Sequence, residues 1–133
     1  MSDDAQTLDG RESIAALAKR FFDAVEAGDI ETVAACYADE AAIWHNTDGL
    51  AQTKDQNLKV LKGFTRHIGE IRYRDRRLDV FPGGFVHQHR LTGRRPDGVE
   101  VELPATLVCR VKDGRITRLD EYFDSAHEAR FRG

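Results

Sequence analysis

At Glu70 the spacing of apolar residues changes, and that change limits the fold more than any other feature. Before it, apolar residues recur every three or four positions; after it, they alternate. In the first half, Ile14, Leu17, Phe21 and Val25, widened by Ala18 and Phe22, predict an amphipathic helix that Ser13 can cap. Gly28 suits its C-terminal stop, and Asp29 can cap a second helix through Val33 and Tyr37. AAIWHNT (41–47) reads as a short strand entering a turn at Asp48-Gly49. Thr53 with Gln56 makes a capping box for a third helix carrying Leu58, Leu61, Phe64 and Ile68, which Gly69 is placed to end. Gly63 inside that helix costs ~1 kcal/mol of helix propensity relative to Ala.

In the second half, Ile71 and Tyr73 differ in parity from Leu78 and Val80, which predicts a bulge near Asp75–Arg77. Pro82-Gly83-Gly84 and Arg95–Gly98 punctuate strands containing FVHQHRLTGR and Val101–Val111. Asp113-Gly114 is a strong hairpin signal before RITRLDEYF, and a short helix ends the chain. The expected class is α+β: three helices from the N-terminal half packed on one face of a curved antiparallel sheet.

Composition narrows function by exclusion. A net charge of −3 offers no basic excess for nucleic acid or an anionic membrane surface, and no run of apolar residues is long enough to span a bilayer. RYRDRR (72–77) reads as a solvated strand face. The N-terminus lacks the plan of a signal peptide, so the expected location is cytoplasmic. Residues 1–11 read as a flexible tail and 12–133 as one domain. Cys36 and Cys109 match no metal or redox spacing and read as reduced core residues.

Two features suggest chemistry. Asp124 ends a strong strand signal, EYFD, either to cap the helix at Ser125–Glu128 or to act as a base in a pocket. His87 and His89 lie two apart on one strand face, and His45 could approach from a neighbouring strand. With Glu102 the two strand histidines would satisfy a metal-ligand count, but a lining role is the expectation, with no metal and no cofactor.

AVEAGDIETVAACYADEAAIWHN (24–46), KDGRI (112–116) and DEYFD (120–124) resemble the SnoaL-like group of the nuclear-transport-factor-2-like superfamily. Its relatives include limonene epoxide hydrolases, ketosteroid isomerases and polyketide cyclases. The resemblance implies a cone-shaped curved sheet with an internal pocket for a small lipophilic molecule, and a homodimer. It suggests Phe21, Phe64, Trp44, Leu107, Tyr122 and Phe123 as pocket walls. By comparison with the isomerases the base falls at or beside His45, while Phe21 and Leu107 replace both oxyanion donors with hydrocarbon. By comparison with the hydrolases, Asp124 activates water, Asn46 holds it and Arg90 orients the acid. Trp44 and Thr92 then depart from the family's tyrosine and second acid. Strand neighbours face opposite sides, so either Trp44 and Asn46 or His45 points inward. The implied function is a cofactor-independent enzyme using Asp124, His45, Arg90 or Asn46 for hydration, isomerisation or cyclisation, with His87 and His89 among the substrate-binding groups. The alternative is a non-catalytic ligand-binding or dimeric interaction module.

Overall fold

Helix α1 (Arg11–Ala27) carries the predicted stripe, and its Ile14, Leu17, Ala18, Phe21, Phe22 and Val25 are buried. The computed structural model describes residues 10–133; most of the expected tail lies outside that range. The helix starts earlier than the sequence suggested. Gly10, not Ser13, is its N-cap, and no side chain caps it; the Gly10 carbonyl accepts the Ile14 N–H at 2.9 Å. Gly28 stops α1 in the left-handed region (φ 69°), where an L side chain would be strained. Asp29 caps α2 (Ile30–Cys36), accepting from the Thr32 N–H at 3.1 Å.

Tyr37 does not close α2 but opens strand β1 (Tyr37–His45). Exposed Asp39 and Glu40 interrupt the apolar alternation there, at an irregularity between Tyr37 and Ala42, so the first part of the strand was not visible in the sequence. A short β2 (Ala51–Thr53) pairs back on β1 and leads into α3 (Lys54–His67), whose capping box is formed by Thr53 and Gln56. The C-cap of α3 is Ile68; Gly69 instead begins β3 (Gly69–Phe81). Strands β4 (Gly84–Arg94), β5 (Glu100–Lys112) and β6 (Arg115–Phe123) follow as an antiparallel meander, and α4 (Ser125–Arg132) ends the chain. The β3 bulge lies where expected: register shifts between Arg74 and Arg77, and Asp75 has φ 56°.

The sheet order is β2-β1-β6-β5-β4-β3. β1 joins β6 in parallel, so the sheet is mixed rather than wholly antiparallel. The result is an α+β fold in which a curved, unclosed six-stranded sheet wraps helices on its inner face. No described helix is long and apolar enough to cross a membrane. Cys36 and Cys109 are free and buried.

The core between α1 and the sheet holds two buried histidines. His87 stacks on Phe22, with centroids 3.8 Å apart, and its Nδ1 lies 2.9 Å from Nδ1 of His89. One ring donates and the other accepts, so the bond requires that at least one be neutral. Burial lowers both: His87 to about 4, helped by the charge of Arg76, and His89 to about 3, helped by His87 and Arg76. An unfolded chain, with ordinary histidines near ~6.5, takes protons that the folded one refuses. Stability therefore holds above that value and is lost as pH falls through the window down to the folded values. Urea unfolding should lose a few kcal/mol between pH 7 and 5, and His87→Leu/His89→Leu should flatten that dependence.

Candidate active site

The sheet register aligns several polar groups on the inner face. His45 of β1 lies opposite Glu121 of β6, Glu121 opposite Leu107 of β5, and Leu107 opposite His87 of β4. Directly opposed residues share a face of the sheet. His45 Nε2 is 3.2 Å from Glu121 Oε1, with side-chain exposures of 18% and 17%. Burial opposes charge on His45, but the Glu121 hydrogen bond and charge outweigh it and hold the imidazole above its ordinary value.

This pair borders a cavity of about 450 Å³ between α3, α4 and the sheet. Its walls are mostly apolar: Leu61 and Phe64 from α3 and Ile68 at its C-cap, Leu91, Leu103 and Phe123 from the sheet, and Phe131 from α4. Tyr73 also lines it. Burial, reinforced by the charge of Glu121, pushes its phenol well above the ordinary range, so the hydroxyl remains a donor at neutral pH. The position of Tyr73 is fixed from behind. Its N–H donates to Glu26 on α1 at 2.6 Å, Glu26 also meets Arg76 at 3.0 Å, and the Tyr73 ring packs edge-on against His89 and Phe22. At the rim, Gln52 accepts from Asn57 at 3.0 Å, and buried Asn57 accepts from the Tyr37 hydroxyl at 2.8 Å.

The structure settles which neighbour points inward. His45 faces the cavity; Trp44 lies on the outer face, packed on half-exposed Tyr122 with centroids 5.2 Å apart. Neither Trp44 nor Tyr122 is a wall of the cavity. Asn46 acts as a latch: its side chain donates to the Phe123 carbonyl at 3.1 Å and accepts from the Phe123 N–H at 3.0 Å. Arg90 is on the outer face, 3.2 Å from Asp75 and 3.8 Å from Glu102. Asp124 is exposed and caps α4, accepting from the Ala126 N–H at 2.8 Å. The grouping of Asp124, Arg90, Asn46 and Trp44 thus does not line the cavity: Trp44 and Arg90 lie on the outer face, Asn46 is bonded to the Phe123 backbone, and Asp124 caps α4.

Phe64 and Phe123 do line the cavity. Phe21 and Leu107 are core, with Phe21 edge-on to Tyr37 at 5.5 Å. His87 and His89 are buried beneath Tyr73 and Phe22, while Glu102 lies with Arg90 on the other face; among the described residues no three His, Cys, Asp or Glu groups converge on a metal position. Sequence reasoning missed Glu121 and Tyr73. Parity carries the signal for Glu121, since Leu119, Glu121 and Phe123 alternate on one face.

Residues 18–119 match the SnoaL-like domain family, and the chain belongs to that family. No curated protein matches it. Among solved structures, a proposed polyketide cyclase from Xanthomonas campestris pv. campestris has a TM-score of 0.77 at 20% identity, covering 87% of this chain and 93% of that one. A proposed SnoaL-like polyketide cyclase from Shewanella denitrificans has a TM-score of 0.79 at 13% identity, covering 90% and 96%. A protein of ketosteroid-isomerase-like fold from Catenulispora acidiphila, in complex with trimethylamine, has a TM-score of 0.74 at 11% identity, covering 84% and 87%. At these identities the likeness shows the fold, which hosts many functions.

If Asp124 is a cap and Asn46 a latch, their loss is structural. Asp124→Ala should cost about 1 kcal/mol and Asn46→Ala about 2 kcal/mol in urea unfolding. In both variants the His45 ring should titrate as in the wild type by NMR.

Proposed function

We propose that the protein is a cofactor-independent enzyme that moves a proton on a small lipophilic carbonyl compound held in the cavity, leading to isomerisation or ring closure. The observation that carries this reading is the half-buried His45–Glu121 pair on the wall of a mostly apolar cavity that Tyr73 also lines. An acid–base group oriented by a second side chain in such a site has the required arrangement.

In this mechanism His45 is neutral with its proton on Nε2, donating to Glu121, and Nδ1 is the base. It takes a proton from the carbon next to the substrate carbonyl, and the electron pair of that C–H bond moves into an enolate. Tyr73 donates a hydrogen bond to the enolate oxygen, and Glu121 stabilises the imidazolium. Where the carbonyl compound is β,γ-unsaturated the enolate is conjugated, and the imidazolium returns the proton to its γ-carbon, which shifts the double bond and isomerises the substrate. Alternatively the enolate carbon attacks a second carbonyl and the resulting alkoxide takes the proton, which closes a ring. Hydration finds less support, because the residues suggested to hold and activate water are dispersed.

The test is α-proton exchange of 2-tetralone in D₂O, followed by NMR. The wild type should accelerate exchange, and His45→Gln or Glu121→Gln should slow it by ~10²-fold or more. The rate should rise with pH through the elevated His45 value. In Glu121→Gln that inflection should move to lower pH, since only the charges of Asp48 and Glu128 then oppose burial. Binding of the ketone without exchange above the buffer rate would favour the non-catalytic ligand-binding module.

The reading also includes a homodimer across the outer sheet face, supported by half-exposed Tyr122 packed on Trp44 and by the opposed charges of Arg90, Asp75 and Glu102 there. Sedimentation at micromolar concentration should give a dimer; a monomer would remove this part of the proposal.

A further inference from the structure

We infer that the ligand is an amphipathic anion, with its apolar body in the cavity and its negative group on the outer face of α3. The inference rests on the cavity being the site proposed above and adds the chemical class of what enters it.

Helix α3 presents Lys59, Lys62 and Arg66 on one exposed stripe, at the spacing that aligns side chains along a helix. The chain is acidic overall, with a net charge of −3, and six of its arginines are engaged by acids. Arg76, Arg90, Arg94, Arg95, Arg118 and Arg132 all pair with carboxylates. Among the described residues, Lys59, Lys62 and Arg66 have no such partner.

The adjoining stripe of the same helix, Val60, Gly63 and His67, lines the cavity. The acids of the cavity are already occupied. Glu121 holds His45, Glu128 lies 3.3 Å from Arg132, and Asp48 accepts the Leu50 N–H at 2.9 Å. The basic stripe of α3, whose side chains have no carboxylate partner among the described residues, adjoins that opening.

Gly63 connects the two stripes. A glycine inside a helix costs ~1 kcal/mol relative to Ala, yet a Cβ added there would meet nothing within 4 Å. No packing within the protein requires the bare position. It leaves a low saddle between the cavity and the basic stripe, and Val60, 52% exposed, gives apolar surface beside it. A chain leaving the cavity over Gly63 would bring a terminal anion within reach of all three cations.

The negative group is a carboxylate or a phosphate, whose shared chemistry is an accessible anion on an alkyl or aryl body. The test uses 1-octanol, octanoate and n-octyl phosphate as probes in calorimetric titrations of the full chain at low salt. At least one anion should bind about tenfold more tightly than octanol. Phosphate above octanoate points to a phosphate source, and equal affinity to a carboxylate. The advantage should vanish in Lys59→Gln/Lys62→Gln/Arg66→Gln and at ~0.5 M salt, where screening is short-ranged, while octanol binding stays unchanged. Gly63→Leu, which favours the helix, should weaken the anion more than octanol. Equal binding of all three probes, or an anion preference that survives the triple substitution, would overturn the inference while leaving the cavity reading in place. Failure of every probe to bind would count against the cavity reading itself.

Discussion

The parallel pairing of β1 with β6 is the contact on which the site depends. It joins a strand from the helical half of the chain to the last strand of the meander, and it places His45 opposite Glu121. Asn46 secures the end of that pairing with two hydrogen bonds to the backbone of Phe123. A slip of one residue would put Trp44 in the cavity and His45 outside, because side chains alternate along a strand. The latch thus adds to the stability of that end of the pairing, while the register itself is held along the whole length of the two strands. Asp124 then turns the chain into α4 as its cap, and α4 supplies Phe131 to the cavity.

Burying polar groups beneath the cavity imposes a different demand. His87, His89 and Tyr73 occupy volume that hydrocarbon would fill at lower desolvation cost. They are tolerated because each is kept uncharged: the histidines share one hydrogen bond, and the phenol is held protonated. The charges that support this layer are kept toward the surface, where Arg76 bridges Asp23 and Glu26 on α1. Glu26 then reaches back to the Tyr73 backbone at the bulged strand. The irregularity in β3 therefore connects a surface ion network to the cavity wall.

Much of the fold was legible in the sequence because its signals are local. The capping box at Thr53, the stop at Gly28 and the parity change around Asp75 each depend on residues close in the chain, and each is found where expected. The β1–β6 pairing leaves no local mark, since its strands lie about 75 residues apart and their register is set by tertiary packing. The site suffered accordingly. His45 is legible as a candidate, but its partner Glu121 is not, and the Arg90 and Asp124 of the motif comparison fall on the outer face and at the α4 cap, away from the cavity. Asp39 and Glu40, exposed at the β1 irregularity, also hid the first residues of the strand by breaking its alternation.

The remaining local conflict lies in α3. Its cap and apolar stripe agree with a helix, whereas Gly63 opposes one without a turn, a close backbone approach or a positive φ to explain it. Sequences that specify a single fold are expected to break such local rules mainly where function requires it. The exception here adjoins both the cavity and the unpaired cations of the helix. The same helix that encloses the apolar end of the cavity is therefore the one whose propensity is reduced at the opening. The proposed passage of a ligand over Gly63 would account for that coincidence, since packing alone leaves room for alanine.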